Sequence, residues 1–369
     1  MQVTILKRSV QIRKARQGIL TSLFCFYTPL LLCVLSLSSC SKKEETLFFS
    51  GNTMGTTYHI TLVPGELGKQ NTSTLKPLDK DELEEGIQKV LDAVNQSMST
   101  YISTSELSIL NDDKTGEWLS VSPTLAFVLS KAIEIGELSV GALDVTIGPL
   151  VNLWGFGSNN SVITAPSDEE IKLLESVIGL NKLEFNFSDS TLKKPVGMQI
   201  DLSSIAKGYG ADAIAEFFLQ SGYENYLIEV GGEIVTKGRN THGQKWRIGV
   251  EKPALDHQGV QQAIAVSGKG IATSGDYRNY FEQDGVRFSH IIDPRTGYPV
   301  KNSLASVTVI AETGAIADGL ATAFTVLGEQ KSFELARQHD IAVYAIIRRD
   351  NGFVAEYSEA FSVYLNDKN

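Results

Sequence analysis

Apolar residues along the chain switch between helical spacing and continuous strand-like runs, and the switches mark the elements. Leu83, Ile87, Val90, Leu91, Val94 and Met98 recur every three or four positions, which predicts a helix over about 81–97. Ser122-Pro123 opens a second helix, with Leu125, Val128, Leu129, Ala132 and Ile135 on one face. Ser167 and Glu170 form a capping box that starts a third. A fourth runs from about Ser204 to Ser221 and stops at Gly222, and a fifth from about Ala315 to Leu327. Between them "LFFSGNTMGTTYHITLV" reads as two strands around a glycine-containing bend. "NYLIEVGGEIV", "KWRIGVEK", "QAIAVSG" and "SLASVTVIA" are further strands, and "IAVYAIIRR" turns through "DNG" into "FVAEYSEAF" as an Asn-Gly hairpin. Residues 64–80, polar and rich in Gly and Pro, form a loop. Strand runs of mixed length between helices, with no regular βαβ repeat, predict an α+β fold of mostly antiparallel sheets. No internal repeat and no clear linker interrupt the chain.

The first 39 residues change the picture. They carry Lys7, Arg8, Arg13, Lys14 and Arg16 and no acidic residue, followed by the apolar "ILTSLFCFYTPLLLCVLSLSSC". A basic start, an apolar core and small residues before a cut describe an export signal. Pro29 and the serine-rich end argue against a membrane-spanning helix. "LSSC" resembles a bacterial lipobox, in which Cys40 is acylated, palmitate included, and becomes the mature N-terminus. The expected division is therefore a signal peptide over 1–39, a lipid-anchored tether over 40–46, and a domain over 47–369. The protein is expected at the cell membrane, facing the periplasm.

Of three cysteines, Cys25 and Cys33 leave with the signal, so the domain has no internal disulfide and no thiolate chemistry. Removing five of 33 Lys+Arg leaves 28 against 43 Asp+Glu, a balance of −15. Such a surface disfavours nucleic acid and anionic lipid as general partners. Any phosphate must be held locally, by a cation or by backbone N–H groups.

Several stretches offer that. In "AIADGLATAF", Asp318 and Thr322 lie four apart on a helix among small residues, two hard oxygens that suit Mg²⁺. Alone, the pair is better described as a tightly packed helix with one buried, hydrogen-bonded Asp. In "DLSSIAKGYGAD", Ser203 or Ser204 is placed to cap a helix whose first N–H groups face an anion, and Lys207 adds a charge one turn in. Gly208 and Gly210 each weaken that helix by roughly 1 kcal/mol, which points to close approach of a ligand or another backbone. "GALDVTIGPLVNLWGFG" places Asp144 in an apolar setting with Trp154 and Phe156 near its end. Thr273 and Ser274, Tyr101 and Met54 add hydroxyls and flat or soft apolar surface. Together they describe a pocket for a flat ring system with a phosphate tail.

At this point the sequence resembles the ApbE-type FAD:protein FMN transferases, exported flavin-transferring lipoproteins. The resemblance rests on the order "MSTY…SELS", "GALDVTIGPLVNLWGFG", "DLSSIAKGYGAD", "VGGEI", "SGDYRNYF", "HIIDPRTGYP" and "ADGLATAF", and covers nearly all of the mature chain. It implies an enzyme that binds FAD and Mg²⁺, transfers FMN to a Ser or Thr hydroxyl of a partner protein and releases AMP. It implies FAD contacts at Met54, Tyr101, Ala142, Leu143, Asp144, Asp201, Lys207, Ile292 and Ala321, and magnesium ligands at Ser204, Asp318 and Thr322. The implied acceptors are exported flavoproteins, such as subunits of sodium-pumping NADH:quinone reductase or Rnf-type complexes.

The acceptor hydroxyl must lose a proton, and an imidazole suits that task. Of five histidines only His290 sits in such a motif, on the stiff turn "HIIDPRTGYP". The expectation is that His290 is the base, while Asp293 either orients the turn by capping backbone N–H groups or takes a direct part in catalysis. Two other readings use the same pocket. One is a Mg²⁺-dependent FAD pyrophosphatase, in which water replaces the hydroxyl; the other is a non-catalytic FAD-binding lipoprotein.

Overall fold

The computed structural model of the protein describes residues 45–65, 78–158, 164–251, 260–276 and 279–365. The segment read as a signal, residues 1–39, and Cys40 lie outside these residues. From Glu45 on, the described residues form a single unit.

Eight strands make the central sheet: β1 (Leu47–Thr53), β2 (Thr56–Leu62), β3 (Tyr226–Val230), β4 (Glu233–Lys237), β5 (Lys269–Gly275), β6 (Leu304–Ala311), β7 (Ala342–Arg349) and β8 (Gly352–Tyr357). Their order across the sheet is their order along the chain, and every neighbouring pair is antiparallel. The fold is α+β, as expected, with antiparallel sheets throughout; an isolated parallel bridge joins Ile147 to Gln199.

Four helices cover one face: α1 (Lys80–Met98), α2 (Pro123–Leu138), α3 (Ala206–Gln220) and α4 (Gly314–Leu327). Each start has a local cause. Asp79 and Glu82 form a capping box on α1, Ser122 accepts from Leu125 N–H ahead of Pro123 on α2, and Thr313 caps α4. The α1 stripe is buried where the spacing placed it. Leu83, Ile87 and Leu91 are fully enclosed, each burial contributing about 1.5–3 kcal/mol.

The period of two along β6 and β7 divides two cores. Val307, Val309, Val343, Ala345 and Ile347 join the helical layer. Ile310, Tyr344 and Ile346 join the opposite layer, under the hairpin Trp246–Glu251/Val260–Val266. With both faces covered, β6 and β7 are almost continuously buried.

Elements beyond the sequence expectation are the helices Glu106–Asn111 and Glu329–Gln338 and the hairpin Tyr280–Gln283/Val286–Ser289. One expectation is corrected. Neither Ser203 nor Ser204 caps α3: the cap position is Ile205, and no side chain bonds there. Asp201 takes the Ser203 N–H instead, at 2.8 Å, in the turn that precedes the helix.

Candidate active site

The starts of α3 and α4 lie against each other without side chains between them. A Cβ on Gly208 would meet the carbonyl oxygen of Gly314 at 2.2 Å, and one on Gly314 would meet the Gly208 oxygen at 2.5 Å. Gly210 instead faces the end of Met54: a Cβ there would lie 2.8 Å from its Cε. The close approach foreseen at these glycines is thus made by protein. Asp212 of α3 fastens the crossing, accepting from the N–H groups of Gly314 at 2.7 Å and Ala315 at 2.8 Å. Burial pushes the Asp212 carboxyl up to about 6 despite those bonds.

This crossing brings Lys207 beside Asp318. The Lys207 Nζ is 3.7 Å from Asp318 Oδ2, and the Gly208 N–H donates to the same oxygen at 3.1 Å. The N–H expected to face a bound anion therefore holds a carboxylate of the protein.

A second carboxylate comes from the sheet. Gly231 and Gly232, at φ 61° and 101°, form a two-residue turn between Val230 and Glu233. The turn places Glu233 Oε1 3.3 Å from Lys207 Nζ, while Oε2 has no hydrogen-bond partner. Burial, and then the charge of Asp318, push Glu233 up to about 8, against the pull of Lys207. Burial also raises Asp318, with Lys207 and the Gly208 N–H pulling the other way. Lys207 is pushed down by burial, but its two carboxylates outweigh that and hold it above its ordinary value. Two enclosed acids sharing one ammonium make a wall short of positive charge.

The wall bounds a cavity of about 880 Å³, within the usual range for small-molecule sites, about 300–1,000 Å³. Twelve of the expected residues line it: Met54, Tyr101, Ala142, Leu143, Asp144, Asp201, Ser204, Lys207, His290, Ile292, Asp318 and Thr322. Thr273 and Ser274 line it as well. Met54 and Gly55 form the β1–β2 turn, both at positive φ, so a bulky residue is held in a costly conformation at the cavity edge. Tyr101 is 69% exposed, a ring standing at the mouth. Asp144 is tied down locally, accepting from Thr146 N–H and Oγ1 at 2.8 and 2.6 Å and from Leu180 N–H at 3.0 Å. Burial raises its carboxyl.

Ala321 is placed differently. It is buried in the helical core, and its carbonyl accepts from Thr325 Oγ1. Trp154 and Phe156 also stand apart from the lining: Trp154 packs on Phe281, Phe288 and Tyr298 and donates to the Gly297 carbonyl at 2.8 Å. These aromatics support the loop that carries His290.

That loop is a tight construction. Ile292 pairs with Pro299 and Asp293 with Tyr298. Asp293 accepts from Arg295 N–H at 2.9 Å and from its guanidinium at 2.8 and 2.7 Å, so it orients the turn as expected. His290 Nδ1 lies 2.9 Å from the Asn279 carbonyl. A carbonyl only accepts, so Nδ1 carries the hydrogen and the neutral ring keeps its lone pair on Nε2. Burial lowers the imidazole below its ordinary value, and Lys207 adds to that.

Among the described residues no three His, Cys, Asp or Glu side chains cluster as an all-protein metal site needs. Ser204, Asp318 and Thr322 instead offer one carboxylate and two hydroxyls on one cavity. Such hard oxygen donors fit Mg²⁺, which completes its shell with water and phosphate, and the acid-rich wall favours a cation.

Glu233 and Asp212 were missed by the sequence reading. Acidic residues beside glycine pairs and inside otherwise apolar elements were the available signal.

The chain is similar to several known proteins. The ApbE family model matches residues 54–347. A Vibrio cholerae FAD:protein FMN transferase is 43% identical over 339 residues, covering 91% of this chain and 98% of its own. Its Haemophilus influenzae counterpart is 44% identical over 340 residues, covering 90% and 96%. The solved flavin transferase ApbE from Vibrio cholerae superposes with a TM-score of 0.79 at 42% identity, covering 87% of this chain and 99% of that one. The apo flavinyl transferase ApbE of Pseudomonas stutzeri gives 0.78 at 34% identity, covering 87% and 97%. A conserved-length match to the family model, to relatives and to solved structures leaves one assignment: this chain belongs to the ApbE family.

Proposed function

We propose that this protein transfers FMN from FAD to a hydroxyl of an acceptor protein, with Mg²⁺ and with His290 as the base. The observation that carries this reading is the convergence on one cavity of the Lys207–Asp318–Glu233 wall and the Nε2-basic His290. Relatives sharing most of this chain's length are FAD:protein FMN transferases.

Ser204, Asp318 and Thr322 would hold the magnesium, which supplies charge neutralisation on the diphosphate when bound. Lys207 places its ammonium against the phosphate oxygens. Met54, Tyr101, Ala142, Leu143 and Ile292 enclose the flavin nucleotide and exclude water. His290 Nε2 accepts the proton of the acceptor hydroxyl, and the Asn279 carbonyl stabilises the imidazolium through Nδ1–H. The new bond joins the acceptor oxygen to the FMN phosphorus. The bond that breaks joins that phosphorus to the bridging oxygen of the diphosphate, and AMP departs with that oxygen. Asp144, saturated by Thr146 and Leu180, shapes the floor, and Asp201 fixes the turn before α3.

The same reading includes export through residues 1–39, acylation at Cys40, and a tether that holds the enzyme at the membrane facing the periplasm. Exported flavoprotein subunits of sodium-pumping NADH:quinone reductase or Rnf-type complexes are the acceptors it favours. The test is mass spectrometry of such an acceptor mixed with this protein, FAD and Mg²⁺. An acceptor mass increased by one FMN less water, with AMP released, is expected. AMP and free FMN with an unmodified acceptor would make the protein a pyrophosphatase; intact FAD would make it a flavin-binding lipoprotein.

A further inference from the structure

Glu233 takes no part in the chemistry above, yet it is among the most confined charged groups of the cavity. The residue is 4% exposed and lines the cavity. A buried carboxylate oxygen such as Oε2 left without a partner is costly, so its presence here calls for a use. The backbone is shaped around it. Two successive positive-φ glycines deliver Glu233, and a Cβ on Gly231 would come within 3.0 Å of Lys207 Cδ. The glycine turn therefore supplies the carboxylate and clears a path for the lysine stem together.

We propose that Glu233 is a positioning residue for flavin transfer: it fixes the Lys207 ammonium at the cavity wall, where it meets the diphosphate of the nucleotide. This rests on the reading of Lys207 as the phosphate contact. Asp318 cannot hold the lysine alone, because it also accepts from the Gly208 N–H and belongs to the proposed cation set. Among the described residues Lys207 is the only other side chain bonded to Glu233. A free lysine loses rotamer freedom on being fixed, and Glu233 imposes that order before the substrate arrives.

The experiment measures flavin binding by fluorescence and single-turnover FMN transfer in the full-length protein with Mg²⁺. Glu233→Ala, Lys207→Ala and the double variant form a cycle. Glu233→Ala should weaken FAD binding about tenfold and leave riboflavin, which lacks the diphosphate, unaffected. The double variant should bind FAD no more weakly than Lys207→Ala alone. Glu233→Gln, which keeps an oxygen for the ammonium, should recover most of the affinity; it also carries the test should Glu233→Ala fail to fold. Equal losses for FAD and riboflavin, or additive losses in the cycle, would overturn the proposal. If Lys207→Ala leaves FAD affinity intact, the phosphate role of Lys207 fails first and the proposal falls with it.

Discussion

Replacing Gly208 by alanine puts a Cβ 2.2 Å from the Gly314 carbonyl oxygen and 2.4 Å from its carbon. These are backbone atoms and cannot rotate away. Reaching ordinary contact at 3.4 Å requires α3 and α4 to separate by 3.4 − 2.2, or ~1.2 Å. Overpacking of this kind costs about 1–3 kcal/mol, and the worst contacts lie at the upper end. Alanine returns about 1 kcal/mol through its better helix propensity. The net expectation is a loss of about 1–2 kcal/mol, or a Tm lowered by roughly 1.5–3 °C. The effect on activity is larger, because Lys207 meets Asp318 across this same crossing. Misplacement by about 1 Å can cost about 10²-fold in rate. Gly210→Ala is the control for stability, since its Cβ meets only the flexible end of Met54. Thermal denaturation and single-turnover transfer on both variants test the reasoning. A Gly208→Ala protein with wild-type Tm and rate would refute the claim that this crossing sets the cavity wall.

Three further outcomes follow from the site. His290→Asn should lower FMN transfer by roughly 10²–10⁴-fold with little change in FAD affinity. Because burial lowers the imidazole, the neutral base persists to lower pH. The wild-type rate should therefore rise through an apparent pKa below 6.5 and level off above it; a wild-type profile without that limb makes the histidine structural. Asp318→Ala should abolish transfer at low Mg²⁺ in a protein whose circular dichroism is unchanged, and near-normal turnover would place the cation elsewhere. Cys40→Ala should release the protein from membranes, and an unprocessed, unlipidated N-terminus in the wild type, seen by intact mass, would sink the lipobox reading.

What the sequence made legible follows from how local each cause is. The stripe of α1 and the capped starts of α2 and of the helix at Asp168 were readable because each signal lies within a few residues. The helix Glu329–Gln338 was not, because its stripe is thin: only Ser332 and Ala336 are buried. The start of α3 misled because "DLSS" has capping chemistry, whereas the chain spends those residues on a turn tied to Asp201. The cavity residues were found through motif order, which carries no distances. The Glu233–Lys207–Asp318 wall arises from a turn on the sheet meeting a helix crossing, and no local pattern encodes that meeting.

The sheet whose strand order repeats chain order also dictates an assembly sequence. β3 to β8 form with comparatively short excursions between partners, but β2 must find β3 across residues 63–225. Loop-closure entropy grows with the logarithm of length, about 0.6 kcal/mol per doubling, so this pairing is the slow one. The first hairpin of the sheet, β1–β2, is thus an orphan until most of the chain has followed it. Its exposed edges make the nascent hairpin the natural client of a holding chaperone, and its unpaired stage the one at which folding is most open to aggregation.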